Sequence, residues 1–103
     1  MAINDGCAYL GESAFRGCEK LLSVTIPNSV TSVGASAFYE CKALVSATIG
    51  DGATSIGNYA FFNCPAPETV KIGSKVESIG YRAFYNCTNL KNINWSNTIK
   101  NYE

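Results

Sequence analysis

The segment LLSVTIPNSVTSVGASAFYEC, residues 21–41, decides how this chain is read. It closes on Cys41, and cysteines stand at 18, 41, 64 and 87, a step of 23 residues each time. The tetrad A-F-x-x-C travels with them, as Ala14-Phe15-Cys18, Ala37-Phe38-Cys41, Ala60-Phe61-Cys64 and Ala83-Phe84-Cys87. Gly11, Gly34, Gly57 and Gly80 keep the same step. Independent positions that share one period mark a repeat architecture.

The apolar positions obey the same template. Three residues after each cysteine stand Leu21, Leu44, Pro67 and Leu90; six after, Val24, Ala47, Val70 and Ile93; eight after, Ile26, Ile49, Ile72 and Trp95. Further on come Val30, Ala53, Val76 and Ile99, then Val33, Ile56, Ile79 and Tyr102. Stepping back 23 residues places Ile3, Cys7 and Leu10 at the corresponding sites of an incomplete first unit. One 23-residue unit has no interior of its own, but stacked neighbours bury such columns continuously.

Within a unit, V-T-I at 24–26, A-T-I at 47–49, V-K-I at 70–72 and I-N-W at 93–95 alternate apolar with polar residues. This is the period of a half-buried strand, and one strand per repeat implies a parallel ladder at about 4.8 Å. Turn formers follow: Pro27-Asn28, Gly50-Asp51-Gly52, Gly73-Ser74 and Ser96-Asn97. The next segment, x-x-V-x-x-I-G, reads as extended or as a short second strand. Its glycine implies a positive φ or a close approach between coils. Ala37, Phe38, Cys41 and Leu44 fall on one face of a helical turn, with Ser13 and Ser36 as candidate N-caps.

Composition narrows the function. Of the 103 residues 47% are hydrophobic and 16% charged, which predicts one globular domain. Eight Lys+Arg balance eight Asp+Glu, so the electrostatic footprint of a nucleic-acid binder is missing. Charge near zero also favours self-association. No apolar run reaches the roughly 18 residues of a membrane span, which argues against membrane insertion. The start, MAINDGCAYLGES, lacks the basic and apolar regions of a signal peptide. The chain contains no histidine, which removes Ser-His and Cys-His nucleophile pairs and imidazole metal ligands. The reading is therefore non-enzymatic, with no cofactor and no metal.

The match of Leu21 through Cys41 to L-x-x-I-x-I-P-x-x-V-x-x-I-G-x-x-A-F-x-x-C resembles the BspA-like, or treponemal-type, leucine-rich repeats, and covers residues from about 3 to 102. The resemblance implies an α/β repeat solenoid, a right-handed superhelix with a parallel sheet on its concave side and short helical turns or loops opposite. The units are a partial repeat at 1–13 and repeats at 14–36, 37–59, 60–82 and 83–103. It also implies a secreted or cell-surface protein of bacteria or protists, engaged in adhesion. Pro67, in Cys64-Pro65-Ala66-Pro67, departs from the pattern and makes the third repeat the least regular. Without an evident polar capping repeat, the chain reads as a fragment or minimal unit of a longer array.

Three sets of residues are candidates for function. The outward strand positions Ser23, Thr25, Ser46, Thr48, Thr69, Lys71, Asn92 and Asn94 form two polar columns, a surface that repeat proteins use for partners. The expected partner is a host or matrix protein, and less readily a glycan. Arg16, Tyr39, Phe62 and Tyr85 form an aromatic column, either a contact surface or rings that stack on one another along the solenoid's edge. The cysteine column reads as free thiols packed like small apolar groups, because a stacking step of about 4.8 Å exceeds the ~3.8 Å between Cβ atoms of a disulfide. Asn86-Cys87-Thr88 and Asn94-Trp95-Ser96 match a glycosylation pattern, the first beside a core position. A structural spacer, or a unit that self-assembles through its solenoid ends, is the alternative role.

Overall fold

The computed structural model describes residues 6–93, and expectations that fall on Ile3, Asn94, Trp95, Ile99 and Tyr102 lie outside them. Seven strands occur among the described residues: β1 (Ser23–Ile26), β2 (Ser32–Val33), β3 (Ser46–Ile49), β4 (Ser55–Ile56), β5 (Thr69–Lys71), β6 (Ser78–Ile79) and β7 (Asn92–Ile93). They form two parallel sheets, β1-β3-β5-β7 and β2-β4-β6. The register is the sequence period itself: Val24 pairs with Ala47, Ala47 with Val70 and Val70 with Ile93. The second sheet pairs Val33 with Ile56 and Ile56 with Ile79. Leu10 bridges to Val33, so the partial first unit joins the stack as its template position requires.

Alternation explains which face is buried. In β1 and β3, Val24, Ile26, Ala47 and Ile49 are buried while Thr25 and Thr48 are exposed. From the second sheet, Val33, Ile56 and Ile79 close the same interior, together with Val30, Ala53 and Val76 from the bends. The third wall is the phenylalanine column. Phe15, Phe38, Phe61 and Phe84 stack at centroid distances of 5.4, 5.0 and 5.3 Å, within 8° of parallel. These four rings make one continuous interior row.

The A-F-x-x-C segment is not the helical turn that its spacing predicts. It is a run of overlapping β-turns: Ala37 N–H bonds Gly34 O, Tyr39 N–H bonds Ser36 O and Cys41 N–H bonds Phe38 O. The third residue of the first and last of these turns has positive φ, +58° at Ser36 and +57° at Glu40, as a type II turn requires. Each such residue turns a peptide group outward. Ser36, Phe38 and Glu40 therefore donate to Asn58, Ala60 and Phe62 carbonyls of the following coil, at 2.9, 2.7 and 2.8 Å. In an α-helix the N–H groups all point along the helix axis, so alternate ones could not reach sideways to the next coil. Ser13 and Ser36 are accordingly ladder donors at positive φ, not N-caps.

Two further sequence readings resolve here. Gly57 has no positive φ; a Cβ there would lie 2.6 Å from Ala35 N, so this glycine serves close coil approach. The third repeat departs where Pro67 predicts it. Leu21, Leu44 and Leu90 donate N–H to the carbonyls of Cys18, Cys41 and Cys87, whereas Pro67 has no N–H to give to Cys64.

Candidate binding surface

The parallel register of the first sheet sets its outward side chains in columns. Ser23, Ser46 and Thr69 occupy one paired row, and Thr25, Thr48 and Lys71 the other, at the interstrand step of about 4.8 Å. Thr25, Ser46, Thr48, Thr69 and Lys71 are exposed and Ser23 is half-buried. Asn92 extends the first row through its backbone pairing with Thr69; Asn94 is outside the described residues. The bend residues beside these rows are occupied with backbone: Asn28 Oδ1 accepts the Asp51 N–H at 2.8 Å and Asp51 Oδ1 accepts the Ser74 N–H at 3.1 Å. Thr48 and Lys71 join Asn28 and Asp51 in lining an open depression of about 260 Å³.

Sequence reading missed the apolar border of this surface. Leu22 and Val45 stand directly before β1 and β3, are 63% and 52% exposed, and are joined by the Val45 N–H to Leu22 O bond. The signal was the doubling Leu21-Leu22 and Leu44-Val45, in which only the first member of each pair belongs to the core. The same row continues as Glu68 and Lys91, an exposed ion pair at 3.7 Å that adds little to stability. The sheet thus presents a border of two apolar side chains and an ion pair, then hydroxyls and the Lys71 ammonium.

The aromatic column forms as expected from its spacing. Tyr39 and Phe62 stack at 4.8 Å and Phe62 and Tyr85 at 5.4 Å, with Arg16 over Tyr39 at 4.4 Å. Tyr59 packs edge-on against Tyr39, Phe62 and Tyr81. Ring faces in this column are covered by neighbouring rings or guanidinium groups. A sugar stacks on a free face, so the geometry favours contacts through ring edges and hydroxyls.

All five cysteines are free. Cys41, Cys64 and Cys87 each donate their thiol to the carbonyl of the preceding coil's phenylalanine: Phe15, Phe38 and Phe61, at 3.1, 3.0 and 3.2 Å. Burial pushes the Cys87 thiol up to about 11. Hydrogen bonding with Cys41, and then burial, raise Cys64 as well, so Cys41 ionises before it. Among the described residues no group of three His, Cys, Asp or Glu side chains is placed to hold a metal, and no helix is long and apolar enough to cross a membrane. Asn86 is exposed, its Nδ2 donating to Asn63 Oδ1 at 3.4 Å.

Comparison with known proteins agrees with this architecture. The family described as "BspA type Leucine rich repeat region (6 copies)" matches residues 1–103. A leucine-rich repeat protein of T. pallidum superposes with a TM-score of 0.95 at 25% identity, over 99% of this chain and 50% of that one. A leucine-rich cell surface protein of Faecalibacterium prausnitzii gives 0.63 at 32% identity, over 99% and 31%. A leucine-rich repeat protein of Bacteroides ovatus gives 0.70 at 29%, over 99% and 32%. The chain spans half or less of each of these structures. No curated protein matches it.

Proposed function

The chain belongs to the BspA-type leucine-rich repeat family over residues 1–103, and from that premise we propose that it is a non-catalytic protein-binding module of a surface or secreted protein, engaged in adhesion. The observation that carries this reading is the face of the first sheet. Thr25, Ser46, Thr48, Thr69 and Lys71 point outward in register and have no side-chain partner among the described residues, beside the exposed Leu22 and Val45. An apolar patch edged by unused hydrogen-bonding groups on a rigid sheet has the make-up of a protein interface, with a dry centre and a polar rim. The likeness to a leucine-rich cell surface protein of F. prausnitzii supports the surface location.

The test is binding to a panel of purified extracellular-matrix proteins by wild type and by the triple variant Thr25→Ala, Thr48→Ala, Lys71→Ala. Loss of about tenfold in affinity is expected, the size of one or two interfacial hot-spot contacts. Unchanged binding removes the sheet as the site.

A spacer or self-assembling role draws on the turn ladder. Turn-segment N–H groups donate to the following coil while the matching carbonyls accept from the preceding one, so a stack has complementary ends. Light scattering discriminates: mass that rises with concentration supports assembly, and a constant monomer mass opposes it.

A further inference from the structure

Arg82 is the one arginine that sits over two rings, 5.0 Å from the Tyr81 centroid and 4.6 Å from that of Tyr85. At the other end of the same column Arg16 lies 4.4 Å over Tyr39. Neither guanidinium has a carboxylate within ion-pair distance among the described residues. Stacking restrains a guanidinium and uses its faces, leaving its N–H edge aimed at solvent as a preorganised fork that fits a carboxylate. Tyr81 and Tyr85 beside Arg82 are themselves 41% and 46% exposed. Tyrosine and arginine together are the residues most enriched where binding energy concentrates.

Spacing and charge define the occupant. Arg16, Tyr39, Phe62, Tyr85 and Arg82 follow one another along the stack at 4.4, 4.8, 5.4 and 4.6 Å, so the two guanidiniums are about 19 Å apart. An extended peptide covers that distance in about six residues, and residues six apart point to the same side of a strand. We propose that this edge of the solenoid binds an extended acidic protein segment, with two carboxylates six residues apart, one received by Arg82 and the other by Arg16. The two side chains between them on the same side rest on the edges of Phe62 and Tyr39. A nucleic acid needs many cations in a continuous track, and this column has two in a chain of zero net charge. This surface is separate from the face of the first sheet and does not depend on it.

The test is a chemical-shift titration at 0.15 M salt with an N-acetylated, C-amidated Glu-Thr-Val-Thr-Val-Thr-Glu peptide. Its controls are the equally blocked Gln-Thr-Val-Thr-Val-Thr-Gln and Glu-Glu-Val-Thr-Val-Thr-Thr and a sialylated trisaccharide. Saturable shifts centred on Arg82 and Arg16 are expected for the first peptide only. Arg82→Gln and Arg82→Lys are each expected to weaken it by about five- to tenfold, the lysine because it lacks the planar fork. Circular dichroism verifies that both variants remain folded. The triple variant of the first sheet is expected to bind the peptide normally, which separates the two proposals. No saturable binding, equal binding of the glutamine peptide, insensitivity to Arg82→Gln, or tighter binding of the trisaccharide overturns the assignment.

Discussion

The ring of Phe38 lies 5.0 Å from that of Phe61, centroid to centroid, and the two planes differ by 8°. Both side chains are fully buried, and each has a ring on either face, because Phe15 and Phe84 continue the row. Phe38→Ala is expected to cost about 3–5 kcal/mol, the loss for a buried aromatic together with the cavity it leaves. Phe15→Ala is expected to cost less, since Phe15 is only half-buried and has one stacked neighbour. In a double-mutant cycle, Phe38→Ala with Phe61→Ala should be less damaging than the sum by about 0.5–1.5 kcal/mol, the stacking contribution of the pair. Urea unfolding followed by circular dichroism measures all three; strict additivity would show that the rings do not interact.

Template-equivalent glycines are not energetically equivalent. A methyl group at Gly57 would meet Ala35 N at 2.6 Å and Gly34 C at 2.7 Å, both backbone atoms, while one at Gly11 meets nothing within 4 Å. Gly57→Ala forces two coils apart and is expected to cost about 1–3 kcal/mol or more, the range for overpacking a tight contact. Gly11→Ala is expected to change stability by less than about 0.5 kcal/mol, as for a surface substitution. Thermal unfolding of the two variants side by side decides this, and equal losses would contradict the close-approach explanation.

These two cases also separate what the sequence expressed from what it concealed. The period of 23, the strands around Val24, Ala47 and Val70, and the buried phenylalanines were legible because each repeats the same chemistry in every unit. The turn ladder was concealed. Positive φ falls on Ser13, Ser36, Tyr59 and Arg82 at one template position, and nothing about tyrosine or arginine announces a left-handed backbone. At the other such position Gly17, Glu40, Asn63 and Asn86 carry a partial signal, since glycine and asparagine tolerate that region best. The apolar border was hidden for another reason. Leu22 and Val45 look like core residues by composition, and only the strand phase set by Val24 and Ala47 turns them outward.

Above pH 9, rising pH should destabilise the stack through Cys87. Cys87 in the folded chain titrates near 11, against an ordinary value of 9.0, because burial penalises its thiolate. The unfolded chain therefore releases this proton first, and the folded state holds more protons above pH 9. The stability linked to Cys87 is fully present below pH 9 and is lost as pH rises towards 11. Cys64, raised by its hydrogen bond with Cys41 and by burial, acts in the same direction. Urea midpoints between pH 9 and 11 should fall more steeply for wild type than for Cys87→Ala. At neutral pH a thiol reagent should reach the half-buried Cys7 and Cys18 before the buried Cys41 and Cys64. Parallel pH profiles for wild type and Cys87→Ala would remove Cys87 from the account.

Pro67 occupies a site where the other units place leucine, and its ring is fully buried as Leu44 is one coil earlier. What it lacks is the N–H that closes the turn onto the cysteine carbonyl, a bond of 3.2 Å at Leu44 and 3.1 Å at Leu90. Pro67→Leu restores that donor to Cys64 O and adds apolar volume at a site whose equivalent already accepts leucine. The regained hydrogen bond is worth about 0.5–1.5 kcal/mol. Against it stands the greater freedom that leucine gives the unfolded chain, about 0.4–1 kcal/mol. The balance, with the added burial, favours the variant by up to about 1 kcal/mol. A raised urea midpoint, with a slowly exchanging amide at residue 67, is the expected result. A lowered midpoint would mean that Pro65 and Pro67 together hold a bend the leucine cannot adopt, and that the third unit keeps its own local geometry.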